Sequence, residues 1–160
     1  QPKHLYAGLN QGRTEVFGHS RASVTVDGER FEIEGPAQFH EQRQTTPRFT
    51  QAFAYLTLWG EEVSSTLLVT GPRRDGYVFE GDKPTDVTHV RLDPPGPRRT
   101  FTATLKDGRK LEGQGDLVQA YTVPIVGQRW EGHMVRARLD GKPLFGHMND
   151  FLPDKVAYGG

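Results

Sequence analysis

Cysteine is absent from this chain of 160 residues, so neither a disulfide framework nor a thiolate zinc site is available. An excess of one charge is lacking as well, because 20 Lys and Arg residues balance 20 Asp and Glu residues. Proteins that bind nucleic acids or membrane surfaces usually carry a basic excess, so we expect neither partner. No apolar run approaches the roughly 20 residues that a spanning helix needs. These absences favour a soluble cytoplasmic protein, with export left open because a mature secreted chain has lost its signal peptide.

Helical signals and linkers are also missing. We find no amphipathic pattern three turns long, no low-complexity tract and no linker long enough to divide the chain. The length falls within the roughly 100–200 residues of one typical domain. We therefore predict that residues 1–160 form a single domain with one core.

The chain does contain four Asp-Gly pairs, at residues 27–28, 75–76, 107–108 and 140–141. This dipeptide suits two-residue hairpin turns, whose central residues both need a positive φ. Each pair lies between segments rich in β-branched, aromatic or aliphatic residues. The spacing predicts an all-β fold in which about eight to ten antiparallel strands close into a single barrel.

Strand-like alternation flanks these turns. Residues 30–34 place Phe31 and Ile33 on one face and two glutamates on the other. Further strands are predicted near residues 49–59, 63–69, 100–105, 110–112, 117–125 and 133–139, with a turn at 60–62.

Residues 49–59 form the most aromatic of these strands. Phe53, Tyr55 and Trp59 fall on one face, where they would make a wide apolar wall with polar tips. Such a wall is typical of a hydrophobic ligand pocket, and simple core packing is the alternative. Because both faces are largely apolar, we expect both to be covered.

Residues 35–44 are the most unusual polar stretch. It contains His40, and histidine is the natural proton carrier near neutral pH, with Glu41 and Arg43 close enough to shift its pKa or hold its tautomer. If the backbone is extended here, His40 and Glu41 point to opposite faces. A solvated loop is the alternative interpretation.

Two later clusters add candidates, at residues 128–133 and 146–151. Asp150 could move a proton if it is buried, since burial raises the pKa of a carboxyl group. Trp130, His133, His147 and Asn149 are candidate ligand contacts, and ordinary core or strand roles are the alternative. The six histidines lack the close spacing of many metal sites, so we predict no metal; a barrel that gathers histidines from several strands stays open.

Several motifs together resemble a known group of proteins. They are residues 24–35, then Gln38-Phe39-His40-Glu41, the aromatic strand, residues 75–78, 105–108 and 146–150. This order, spanning roughly residues 12 to 151, resembles the lipocalin-like domains of the AttH and carotenoid 1,2-hydratase group; tocopherol cyclase is more distant. The resemblance implies a calycin barrel and a hydrophobic isoprenoid- or polyketide-like ligand. It also implies hydration or cyclisation by acid–base chemistry without an organic cofactor.

The chain departs from that group in two ways. Family members usually carry two such domains, so a homodimer that replaces the second domain is an alternative here. The stretch that begins at Gln38 replaces a string resembling Asp-His-Ser-Trp, so only His40 carries over.

We therefore predict a cyclase, hydratase or isomerase, and a non-catalytic carrier of the same ligand is the alternative. His40 or Asp150 would move the proton, and Glu41 and Arg43 would orient that group. The predicted substrate contacts are Phe53, Tyr55, Trp59, Tyr121, Trp130, His133, His147 and Asn149.

Overall fold

A computed structural model describes residues 4–7, 13–42, 52–70, 73–81, 83–125 and 128–153. Among these residues there are eleven strands and no helix, and so no helix long and apolar enough to span a membrane. The chain divides into two compact units, Gln1–Arg43 and Gln44–Gly160. The grouping of both units into a single domain stays a prediction.

The first unit is a three-stranded antiparallel sheet in the order β1-β2-β3. Its strands are β1 (His4–Ala7), β2 (Arg13–Val26) and β3 (Glu29–Gln42). Asp27 and Gly28 join β2 to β3 with φ values of 51° and 83°, which confirms the predicted turn. The polar stretch at 35–44 continues β3 as far as Gln42, so its described part is a strand and not a loop.

The second unit is an eight-stranded antiparallel sheet in which β9 pairs with β10, so that the sheet closes into a barrel. This closed sheet confirms the all-β antiparallel prediction. Its strands are β4 (Phe53–Trp59), β5 (Val63–Thr70), β6 (Arg73–Glu80), β7 (Lys83–Leu92), β8 (Arg98–Leu105), β9 (Lys110–Ile125), β10 (Gln128–Leu139) and β11 (Lys142–Pro153).

Three predicted turns of this sheet are confirmed in position. Asp140 and Gly141 join β10 to β11 with φ values of 48° and 78°. Between β8 and β9 the connection is longer than two residues, at 106–109, and of the predicted pair only Gly108 has a positive φ, 88°. Residues 60–62 join β4 to β5 as predicted.

The turn predicted at Asp75-Gly76 is wrong. Both residues lie inside β6, where Gly76 is opposite Leu67 of β5 and Val87 of β7. A Cβ atom at Gly76 would lie 2.1 Å from the carbonyl oxygen of Thr66. Glycine is needed here for close approach of the neighbouring backbone, which is the second common meaning of glycine in a strand.

Strand β9 joins two segments that were predicted as separate strands. Gly113 and Gly115 lie within this strand. A Cβ atom at Gly113 would lie 2.0 Å from the Phe101 ring, and one at Gly115 would lie 2.6 Å from Met148 Cε. The two glycines thus make room for core side chains. A β-bulge at Val118 then shifts the register with β10.

The core of this unit is formed by alternate residues of its strands. Full burial of each large aliphatic or aromatic side chain contributes roughly 1.5–3 kcal/mol. On β4 the core residues are Ala54, Leu56 and Leu58, yet Tyr55 and Thr57 between them are buried too. Both faces of β4 are therefore covered, as predicted for the described part of residues 49–59.

Candidate functional site

Strand alternation divides the predicted site residues between the two faces of the closed sheet. Since Ala54, Leu56 and Leu58 belong to the core, their neighbours in β4 point outward. The same argument applies to β11, where the core residue Met148 separates two outward-facing neighbours. Seven predicted ligand contacts share this outer face: Phe53, Tyr55, Trp59, Tyr121, Trp130, His147 and Asn149. The sequence grouped these residues but could not tell the outer face from the inner one.

An aromatic row crosses the outer face at one end of the strands. Trp130 is opposite Phe151, and Phe151 is opposite Phe53. The rings of Phe53 and Phe151 stack with centroids 5.0 Å apart, and Trp130 meets Phe151 edge-on at 6.0 Å. Such contacts contribute about 0.5–1.5 kcal/mol beyond area burial and hold these side chains in place.

Tyr121 and His147 form a hydrogen-bonded pair on the same face, which we call the outer pair. The Tyr121 hydroxyl lies 3.3 Å from Nδ1 of His147. The Tyr121 ring covers Gly132, since a Cβ atom at Gly132 would lie 2.1 Å from the tyrosine Cζ. Trp59 lies on the other side of the imidazole, with ring centroids 5.6 Å apart. Aromatic groups therefore flank a histidine that is itself half-buried.

This environment changes the ionisation of His147. Desolvation lowers the pKa of His147 from its ordinary value of 6.5, because burial disfavours the charged imidazolium. The side chain is neutral at pH 7, with Nδ1 held by Tyr121. The outer pair thus presents a neutral imidazole beside aromatic rings.

A second polar group, which we call the inner group, lies on the opposite face of the sheet, with side chains from β8, β10 and β11. Arg99 donates two hydrogen bonds to Asp150, from Nη1 at 2.8 Å and from Nη2 at 3.0 Å. The side chains are only 7% and 12% exposed. Arg99 Nε also donates to the carbonyl oxygen of Asp93 at 2.7 Å, so the guanidinium is held on both edges.

His133 links the inner group to the backbone of β11. Its Nδ1 lies 3.0 Å from the carbonyl oxygen of Met148 and 3.8 Å from Oδ2 of Asp150. A carbonyl oxygen can only accept, so Nδ1 carries the proton and donates it. The backbone N–H of His133 donates to Oδ1 of Asn149 at 3.2 Å. Hydrogen bonds between side chains and backbone groups therefore also link β10 to β11.

The remaining predicted catalytic residues belong to the first unit. His40 and Glu41 are exposed neighbours in β3, and the extended backbone points them to opposite faces. Arg43 lies outside the described residues. The catalytic roles of these three residues stay predictions.

Arg99 is the site residue that sequence reasoning missed. It lies two residues before Phe101, and the pattern Phe101, Ala103, Leu105 places position 99 on the inward face of β8. An arginine on an inward face requires an anion, and Asp150 has the inward parity of Met148. An arginine and an aspartate that both occupy inward-facing positions were the sequence signal that could have identified this ion pair.

A large surface groove has Asp93, whose carbonyl oxygen accepts from Arg99, among its lining residues, but neither residue of the outer pair lines it. It has a volume of about 800 Å³, and its lining includes Thr100 and Thr102 of β8, Arg91 of β7, and Lys110 and Glu112 of β9. None of the predicted site residues lines it.

Among the residues that the structure describes, no three His, Cys, Asp or Glu side chains are arranged to hold a metal ion. No family model, curated protein or solved structure matches the chain. The resemblance described above therefore stays a prediction.

Proposed function

We propose that this protein is a lipocalin-like barrel of the AttH and carotenoid 1,2-hydratase type. It acts on a hydrophobic isoprenoid- or polyketide-like molecule by moving a proton, without an organic cofactor. The observation that carries the proposal is the outer pair: a half-buried His147 with a lowered pKa, bonded to Tyr121 and flanked by Trp59.

The chemistry assigned to the outer pair is proton transfer to and from carbon. The imidazolium form of His147, which desolvation makes a stronger acid, gives its Nε2 proton to an alkene carbon and becomes the neutral imidazole, with Nδ1 still in contact with the Tyr121 hydroxyl. The neutral imidazole then takes back one proton, either from the water that adds or from the neighbouring carbon. The π face of Trp59 stabilises the carbocation that forms, because aromatic faces attract cations.

Two outcomes balance this step. Addition of water to the cation, with loss of one proton, gives net hydration. Loss of a proton from a neighbouring carbon gives an isomer, or a ring if a second double bond has attacked first. In either case one proton is added and one proton is removed, so the reaction needs no oxidant or reductant.

The inner group takes a holding role in this proposal. Both carboxyl oxygens of Asp150 accept hydrogen bonds from Arg99, so the residue predicted as proton donor is already engaged. This engagement also favours the second candidate, a non-catalytic carrier, because it removes one proton donor from the chemistry.

The test is incubation of the protein with the acyclic carotenoid lycopene in detergent micelles and water labelled with heavy oxygen. Mass spectrometry that detects one incorporated heavy oxygen shows hydration, and a product of unchanged mass but new retention shows isomerisation or cyclisation. We expect H147Q to reduce the rate at least 100-fold, within the range for general acid–base catalysis.

The matched control is H89Q, since His89 is an exposed histidine of β7 in the same unit. We expect it to retain full activity. A pigment that co-purifies with a shifted absorption spectrum but is never converted would establish the carrier instead. Equal activity of H147Q and wild type would overturn the role of the outer pair.

A further inference from the structure

One face of the β2–β3 hairpin is apolar along nearly its whole length, and we call it the apolar arm face. Antiparallel register puts directly opposite residues on the same face of a sheet. Six such pairs make up this face: Val16–Phe39, Gly18–Ala37, Ser20–Gly35, Ala22–Ile33, Val24–Phe31 and Val26–Glu29.

The large side chains of this face are open to solvent. Their exposed fractions are 42% for Val24, 53% for Val26, 44% for Phe31, 52% for Ile33 and 60% for Phe39. A two-stranded hairpin with one uncovered apolar face is only marginally stable in water. Contiguous apolar patches of this kind mark interaction surfaces.

On the opposite face of the hairpin, the half nearest the β2–β3 turn carries exposed charged side chains. Arg21 donates to both carboxylate oxygens of Glu34, its cross-strand neighbour, at 3.1 Å. Arg30 pairs with Glu32 at 2.7 Å. The hairpin is thus two-sided, with an ion-paired face and an apolar one.

The apolar arm face has a depression in one half and projecting side chains in the other. Its base half has a depression of about 290 Å³ over small residues, lined in part by Gly18, Ser20 and Ala37. A Cβ atom at Gly35 would meet nothing within 4 Å, so the space above it is open. Its tip half carries the projecting Phe31 and Ile33. A two-fold axis through the face would set the tip half of one copy over the depression of another.

The area of this face suits a weak dimer. Eleven residues per strand span ten steps of about 3.3 Å, which over a width of about 10 Å gives a flat footprint of roughly 330 Å². The corrugated accessible surface is larger, so two copies would bury on the order of 1,000 Å². That is near the lower limit for a specific interface and below the roughly 1,600 Å² of a standard one.

We propose that the apolar arm face binds the same face of a second copy of this chain, forming a two-fold dimer by packing hairpin on hairpin.

The test is sedimentation equilibrium of the whole chain over a concentration series, comparing V24K with S23K. These neighbours in β2 lie on opposite faces of the hairpin, so the same added charge reaches the apolar arm face in only one variant. For wild type and S23K we expect a mass that rises toward twice the 17.9 kDa of the chain. For V24K we expect a dimer dissociation constant raised at least about tenfold, because a lysine charge would be buried there.

A second readout avoids any effect of charge. Because the chain has no cysteine, A22C and S23C each introduce a single reporter thiol, and only A22C should form a disulfide-linked dimer on oxidation. Wild type that stays monomeric at millimolar concentration would overturn the proposal. A dimer that V24K and S23K weaken equally would overturn the assignment to this face.

Discussion

The outer pair and the inner group share strand β11 but face opposite ways, and they differ in how far their polar atoms are satisfied. In the inner group, Arg99 and Asp150 meet through two short hydrogen bonds and are almost fully buried. In the outer pair, His147 is neutral, half-buried and bonded by a single longer contact to Tyr121. One side of the sheet holds a fixed charge pair, and the other holds a group that can change its protonation.

This difference separates a structural role from a chemical one. A buried charge pair is costly to form and costlier to break from one side, so it fixes a geometry. A neutral imidazole between aromatic rings gains or loses a proton at much lower cost. Four single substitutions, R99M, G132A, H147Q and Y121F, test this difference.

The largest effect is expected for R99M. Removing the guanidinium leaves Asp150 buried without its partner, and breaking a buried pair from one side costs about 3–5 kcal/mol. Urea unfolding measures the loss. The adjacent R98M removes an exposed pair with Asp116, whose side chains are 65% and 50% exposed, so it should cost less than about 1 kcal/mol.

A double variant sharpens this result. R99M/D150L removes both charges at once, and we expect it to recover much of the stability lost in R99M. If R98M and R99M destabilise the protein equally, the inner group is not a fixed charge pair and the contrast with the outer pair disappears.

The next largest effect is expected for G132A. The added methyl group would lie 2.1 Å from Cζ of Tyr121, so the ring must move off the strand and away from His147. Overpacking of this kind costs about 1–3 kcal/mol. In G96A the new Cβ atom would lie 3.6 Å from its nearest neighbour, an ordinary contact, and should change stability little. Equal unfolding midpoints for the two variants would contradict the position of Tyr121 over Gly132.

The sequence was sufficient for the all-β class of fold and for the two-residue turns at Asp27-Gly28 and Asp140-Gly141. The pairs at Asp27 and Asp140 take positive φ at both central positions, because no side chain or strand competes with the turn. Asp75-Gly76 has the same two letters and lies within a strand. There the distant backbone of Thr66 decides the conformation, and no short-range pattern contains that contact.

The candidate site was predictable as a set of residues but not as a geometry. Alternation put Tyr55 and Trp59 on one face, yet only closure of the sheet decides which face is inside. Arg99 was missed because its partner lies 51 residues away along the chain. Such pairings depend on strand order, which periodicity alone does not define.

A smaller effect is expected in the pH dependence of stability. The pKa of His147 is lowered on folding, so the unfolded chain binds more protons than the folded one below about pH 6.5. This contribution to stability is complete above pH 6.5 and is lost as pH falls toward the lowered value. Urea unfolding at several pH values should show a shallower acid loss in H147Q than in wild type. The H89Q control should keep the wild-type slope. A wild-type slope in H147Q would show that the imidazole of His147 is not desolvated in the folded protein.

The smallest effect is expected for Y121F, which removes only the hydroxyl and leaves the ring over Gly132. One neutral hydrogen bond is worth about 0.5–1.5 kcal/mol net, and a 3.3 Å contact belongs at the low end. The double-mutant cycle of Y121F with H147Q measures the coupling through the hydroxyl, because Y121F keeps the tyrosine ring and the loss of the imidazole's ring contacts is common to both arms of the cycle. We expect a coupling energy of a few tenths to about 1 kcal/mol at pH 7 that declines on acidification, since protonated Nδ1 can no longer accept from the tyrosine. A coupling of zero at pH 7 would mean that the two side chains are neighbours without a shared proton, and the outer pair would then be as inert as the inner group.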